Sequence, residues 1–400
     1  MIAGKDVFNI LGAIVPMYFP PTIAYITVRW FNLFTDEQSA GINRFVRLLA
    51  IPFLCFHVIS TNNLLAINLK LFAADSLQKL VFLAALFLWN FLCKSASLDW
   101  VITLFSLSCL PNTLIIGLPM TTAMYGQASV GLMIQTVVFQ GVIWVNVLIV
   151  LFEYRAARLT FVAESSKLSR AEIQRRCGFT KLFPEETEVS VVCVDGDGNE
   201  GFPAKETRPI DDGSGFEKDV VRSEHTSSTK GTSSGMTKFV VCMLWKKIRQ
   251  NPITYSSLLG IIWSLISFKY NIKLPTLLQR CVLMFSDTGQ ALALFSLGIF
   301  MAAQPNIIAC SILEIASAML VRFLVSPMLV AAISKLVDLH GIALYTAILQ
   351  AAFPPGIVSF VLAKEYNVHP NIISTSVVFG MLIAFPIILS YYLLLGAIFE

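Results

Sequence analysis

Apolar runs near the length of a membrane crossing recur along this chain in two groups of five, separated by a polar stretch. A helix needs ~20 residues to span a bilayer. On that ruler the first group lies near Val7–Val28, Phe45–Ile59, Phe72–Leu92, Val101–Tyr125 and Gly131–Glu153. The second lies near Tyr255–Phe268, Cys281–Phe300, Ile307–Leu336, Gly341–Leu362 and Ile372–Ile398, the second and sixth runs of the ten being short. In lipid every backbone polar group needs an internal partner, which a helix supplies. The expected fold class is therefore an all-α polytopic membrane protein. Composition agrees: 56% of the residues are hydrophobic, 14% are charged, and the mean hydropathy is +0.72. The first run lacks a basic leader and a small-residue cleavage site, so it is expected to stay as a signal-anchor helix.

The organisation follows as 1–154 for the first five-helix set, 155–238 for the polar stretch and 239–400 for the second set. Ser, Thr, Gly and charged residues dominate the middle, which cannot bury enough apolar surface to fold alone and reads as a disordered loop. Its flanks are basic, with Arg155, Arg158, Arg170, Arg175 and Arg176 before it and Lys238, Lys246, Lys247 and Arg249 after it. The positive-inside rule places the loop in the cytosol and both termini outside. Arg29, Arg44, Arg47 and Lys94 then fall inside, as that rule requires, whereas Lys269, Lys273 and Arg280 fall outside, against it. A net charge of +4, scattered along the chain, gives no argument for nucleic acid. The 8 Cys show no CxxC spacing, so neither a zinc site nor a disulfide framework is indicated.

Five spans per half is an odd number, so two homologous halves would be inverted relative to each other, the arrangement of many secondary transporters. Such carriers place discontinuous helices at matching positions of the halves, around a substrate site. The fourth run of the first half contains LPNTLIIGLPM, Leu110–Met120, and the fourth of the second contains AAFPPGIVSF, Ala351–Phe360. Proline and glycine are common in membrane helices, but their recurrence at one place in both halves favours the functional reading. Each break exposes a helix N-terminus, which attracts anions, and a C-terminus of opposite sign, so the breaks alone do not name the charge of a ligand. Pro111 suits a first helical position, and Asn112 offers either a neutral hydrogen-bonding group for a carboxylate or a cap for the second half-helix.

Ionisable residues inside spans are costly and usually functional. Asp75 and Lys79 stand one helical turn apart and can pair, as a structural tie or as charges that act while a carrier moves. Asp287 and the set Glu314/Arg322 are weaker signals, Arg322 being readable as a snorkelling or paired side chain. The segment Asp195–Glu206 has the acidic spacing of a calcium loop, but Glu200 replaces the required glycine. HExxH and Walker A sequences are absent, which argues against an HExxH-type membrane hydrolase or an ATP-driven pump, and the scattered His57, His225, His340 and His369 show no metal-ligand spacing. No enzymatic activity, metal or cofactor is expected.

Several strings carry a family resemblance: INRFV (Ile42–Val46), AADSLQK (Ala73–Lys79), SLDW (Ser97–Trp100), LPNTL (Leu110–Leu114), LFEYR (Leu151–Arg155), SLGIFMA (Ser296–Ala302) and AKEYNVHPNIISTSVVFGML (Ala363–Leu382). They resemble the PIN-FORMED auxin efflux carriers of plants across both membrane halves. The resemblance implies ten transmembrane helices in two inverted five-helix repeats with broken fourth and ninth helices, similar to bile acid/sodium symporters and of elevator type. It implies export of indole-3-acetate, or a related aromatic carboxylate, from the cytosol across a lipid membrane. A homodimer, and kinases acting on the loop, are implied partners. In that reading Pro111, Asn112 and Pro354 form a crossover at the substrate, Ile51 and Leu114 are apolar walls, and Asp75 and Lys79 form a support site beside it. Three places depart from the family: Val145 stands where an aromatic hydroxyl is usual, Ile253 where a polar residue is usual, and Tyr18–Pro21 reads YFPP where the family has no proline pair. Another organic anion is thus an alternative cargo, and a non-transporting receptor a more distant one. The loop is shorter than in polarised plasma-membrane members and longer than in the most reduced ones, which leaves the endoplasmic reticulum membrane and the plasma membrane both open.

Overall fold

A computed structural model describes residues 4–93, 97–176, 252–304 and 308–399. The candidate calcium loop at Asp195–Glu206, the basic residues Lys94, Lys238, Lys246, Lys247 and Arg249, and most of the polar stretch lie outside the described residues. The chain divides into two units, Met1–Leu159 with Thr237–Glu400, and Thr160–Met236. Of the second, residues 160–176 are described, and they are helical.

Helix is the only regular secondary structure among the described residues, beside one isolated β-bridge. In chain order they form α1 (Gly4–Arg29), α2 (Asp36–Ser60), α3 (Leu69–Leu92), α4 (Leu98–Cys109), α5 (Thr113–Tyr125) and α6, which runs from Gln127 through a π turn at Gln140–Trp144 to Arg176. Then follow α7 (Pro252–Tyr270), α8 (Thr276–Ala302), α9 (Ile312–Leu336), α10 (Gly341–Ala351), α11 (Ile357–Glu365) and α12 (Pro370–Phe399). Six of these helices are long and apolar enough to cross a membrane, a count made among the described residues.

Two helices differ from the hydropathy reading. The second run extends back to Asp36, because Thr35 and Gln38 form a capping box that starts a helix in a polar segment. α6 continues through Arg155 and Arg158 to Arg176, where low hydropathy suggested that the loop had begun. That stretch holds Ala, Arg, Leu, Glu and Gln and neither Gly nor Pro, so leaving the apolar run does not end the helix.

Packing sorts the first unit into two groups. α1, α2, α7 and α8 pack chiefly on one another, while α3 and α4, α9 with α10 and α3, and α11 with α12 build around the larger apolar core. Small residues set the closest approaches of the first group. A Cβ on Gly289 of α8 would stand 2.6 Å from the Ala50 carbonyl oxygen of α2, and one on Gly298 would collide with the Pro21 carbonyl of α1. Glycine is required there because the partner is backbone, which cannot swing aside. The outward faces carry large apolar side chains such as Phe91, Leu277, Ile312 and Leu313, as a lipid-facing surface does.

Candidate functional site

The helix breaks end each other. α4 stops at Cys109 and α5 begins at Thr113; α10 stops at Ala351 and α11 begins at Ile357. Prolines at both places remove amide donors and forbid a continuous helix. The freed segments lie antiparallel: Asn112 N donates to Pro354 O at 2.9 Å, Gly356 N donates to Leu110 O at 2.9 Å, and Pro111 faces Pro355 in the isolated bridge. Irregular backbone in an apolar protein interior needs such internal partners, and each break supplies them to the other.

The four helix ends at this crossing are not equivalent. At the C-terminal ends several carbonyls are filled by side chains. Ser106 O accepts from Ser359 Oγ at 3.3 Å, Leu107 O and Ser108 O accept from Arg322 Nη1 at 3.2 and 2.6 Å, and Phe353 O accepts from Arg322 Nε at 2.5 Å. Gln350 O receives Arg322 Nη2 at 3.4 Å, and Pro111 O receives Gln140 Nε2 at 2.5 Å. At the N-terminal ends, α5 after Asn112 and α11 after Gly356 have no side-chain cap. Asn112 is only 8% exposed, and its side chain makes no hydrogen bond among the described residues. Its amide stays available beside two uncapped helix starts, which together can bind an anionic group.

Asp75 and Lys79 sit behind the breaks, 1% and 2% exposed, with Nζ 2.5 Å from Asp75 Oδ1. Gln350 Nε2, on the last turn of α10, donates to the same oxygen at 2.7 Å. Asp75 Oδ2 has no partner among the described residues. The Lys79 ammonium also lies 5.4 Å from the centre of the Trp144 ring, in cation–π range. The pair is thereby wired to the second break through Gln350 and to the π turn of α6 through Trp144.

The other expected residues fall around this frame. Ile51 packs with Val46, Ala50, Ile115, Ala293 and Leu294, and Leu114 with Leu54, Val58 and Ile134, so both lie where α2 meets the start of α5. Val145, half-buried, follows Trp144 and packs on the larger core. Ile253 is half-buried in the first turn of α7, a helix that packs against the π turns of α2 and α6. Its carbonyl accepts from Ser256 Oγ.

Two residues escaped the sequence reading, Gln140 and Gln350, and Arg322 folds otherwise than the sequence suggested. Gln140 buttresses the first break through Pro111 O and accepts the Thr113 hydroxyl; its only sequence signal is a polar side chain inside an apolar run. Arg322, read as snorkelling or paired with Glu314, is fully buried, and Glu314 instead caps α9 at Ser311. No group of three or more His, Cys, Asp or Glu suited to a metal occurs among the described residues.

The family described as membrane transport protein matches residues 9–392 of this chain. The probable auxin efflux carrier component 1b of Oryza sativa subsp. japonica is 36% identical, with 99% of this chain and all of the relative covered. Auxin efflux carrier component 1 of Arabidopsis thaliana is 32% identical over the same shares, in an alignment of 621 residues against the 400 here. The probable auxin efflux carrier component 9 of rice is 36% identical over 435 residues, again with 99% of this chain and all of the relative covered.

Proposed function

The chain belongs to the membrane transport protein family and is similar over nearly its whole length to auxin efflux carriers, and from that premise we propose that it exports an auxin anion, indole-3-acetate, from the cytosol. The reading comprises ten membrane crossings in two inverted repeats, a cytosolic central loop, and a group of helices that moves past a scaffold in alternating access. The observation that carries it is the antiparallel crossing of the two breaks, where Asn112 and two uncapped helix starts meet. A carboxylate at that point would accept from the Asn112 amide and the open backbone N–H groups, while its aromatic ring would lie on Ile51, Leu114 and Val145. The separation of α1, α2, α7 and α8 from the remaining helices supports a scaffold and a moving part. Asp75 and Lys79, outside the crossing but tied to it by Gln350, are placed to bias the balance of inward and outward states.

Efflux of radiolabelled indole-3-acetate from cells expressing the chain, against cells without it, is the direct test; equal retention in both would reject the reading. A second cargo class, another organic anion, is favoured by Val145 and Ile253, which put aliphatic side chains where the resemblance leads one to expect polar ones. Such a pocket leans on apolar contact with the ring. Naphthalene-type acids should then compete with indole-3-acetate more evenly than they do in a Val145→Tyr variant.

A further inference from the structure

Arg322 is the largest fully buried side chain among the described residues, and all four acceptors it meets are backbone carbonyls. Two belong to the end of α4 and two to the end of α10, the C-terminal ends at the two breaks. It stands in a π turn, Val321–Val325, a distortion that often marks functional positions. One turn further on, Ser326 Oγ lies 2.5 Å from Ser108 Oγ, so α9 grips the end of α4 twice.

Its charge has no carboxylate partner among the described residues. The comparison with α3 sharpens this. Lys79 lies ten residues beyond Leu69, where α3 starts, and Arg322 lies ten beyond Ile312, where α9 starts. In the two-repeat reading these are counterparts, one buried cation from each half: Arg322 bonds the carbonyls at the crossing, and Lys79 pairs with Asp75 behind it. Asp75 lies six beyond Leu69, and the residue six beyond Ile312 is Ala318, which is buried and carries no charge. The first half thus brings a neutral pair and the second an uncompensated positive charge. A guanidinium stays protonated under all ordinary conditions, and a cation at a helix C-terminus cancels the negative end of that helix. With both C-terminal ends cancelled, the two open N-terminal ends dominate the field at the crossing.

We propose that Arg322 is the positioning residue that fixes the charge preference of the site, by tying down the carbonyl ends of both half-helices and leaving the crossing net positive, so that it accepts a carboxylate over a neutral or cationic analogue. It acts through the half-helices and touches no cargo itself. The proposal rests on the anion-carrier reading above and answers what the breaks alone leave open, which sign of ligand they take.

The test compares binding of indole-3-acetate with that of its neutral, nearly isosteric amide, indole-3-acetamide, to the purified full-length protein. Wild type is expected to favour the acid. Arg322→Met, with similar bulk and no charge, should lower the acid-to-amide ratio about tenfold or more, the scale of one unit charge acting through a partly polar interior. Arg322→Lys keeps the charge but not the fork and should retain most of the ratio. An unchanged ratio in folded Arg322→Met, or a loss in Arg322→Lys as deep as in Arg322→Met, would overturn the proposal. If Arg322→Met yields no folded protein, Arg322→Ala purified in millimolar guanidinium decides instead. Acid affinity that rises with guanidinium supports the tethered-cation role, and insensitivity overturns it. Wild type that binds neither probe would instead reject the anion-carrier reading itself.

Discussion

Replacing Asp75 by Asn deletes one charge and nearly nothing else, so its consequences follow from the local geometry. Asp75 Oδ1 accepts from Lys79 Nζ at 2.5 Å and from Gln350 Nε2 at 2.7 Å, and an asparagine oxygen can keep both bonds. What is lost is the counter-charge of an ammonium that is 2% exposed. In addition, the new amide N–H₂ occupies the place of Oδ2, where no partner exists among the described residues. Breaking a buried ion pair from one side costs about 3–5 kcal/mol, and a buried donor without an acceptor about 1–3 kcal/mol. Against a total stability of roughly 5–15 kcal/mol, the variant should be folded but lower melting. Transport should fall further than stability does. Gln350 couples the pair to the end of α10, and a bias of only ~1.4 kcal/mol between inward and outward states changes their populations tenfold. The assay is indole-3-acetate binding and efflux in Asp75→Asn, Lys79→Gln and the double variant, each normalised to folded protein. Binding should remain measurable in Asp75→Asn while efflux is slowed severalfold or more. The double variant, which removes the orphaned cation, should recover melting temperature without recovering efflux. Wild-type efflux in the double variant would refute this reasoning and leave the pair as a structural tie.

Other outcomes follow from separate parts of the structure. Asn112→Ala removes a hydrogen bond to a charged group and should weaken indole-3-acetate binding by about 1.5–3 kcal/mol in equilibrium titrations, with little change in melting because that side chain bonds nothing else among the described residues. Gly289→Val pushes a branched side chain at a carbonyl 2.6 Å from its Cβ position, so it should lower the melting temperature by an overpacking cost of about 1–3 kcal/mol while efflux per folded molecule is retained. His369, in the turn before α12, bonds Thr103 Oγ1 at 3.0 Å and lies on the Trp100 ring; burial holds its imidazole below the usual histidine range, against the opposing pull of Asp99 and Glu314 and together with the repulsion of Arg155. A histidine depressed in this way stabilises the fold above its unfolded value near 6.5 and loses that contribution as pH falls through the folded one. Thermal melts from pH 7.5 down to about 5 should therefore fall less steeply in His369→Gln than in wild type.

The ten apolar runs, the two proline-bearing breaks and the Asp75/Lys79 spacing are all legible in the sequence, because each depends on nothing beyond its own segment. Length and hydropathy mark a span, proline removes an amide wherever it stands, and residues one turn apart on a helix are neighbours in any fold. Helix ends were less legible where a polar segment keeps good helix formers, as at Asp36–Phe45 and through Arg155 to Arg176. The pairing of the breaks needed the tertiary structure, since the bonds of Asn112 with Pro354 and of Gly356 with Leu110 join residues more than two hundred positions apart. Gln140, Gln350 and Arg322 were hidden for the same reason. In sequence Arg322 is a lone cation beside apolar residues, free to reach water along its own helix. Only the folded chain surrounds it with four carbonyls from two other helices, because the sign of the field at the crossing depends on which helix ends meet there, and that is a property of the packing rather than of any one segment.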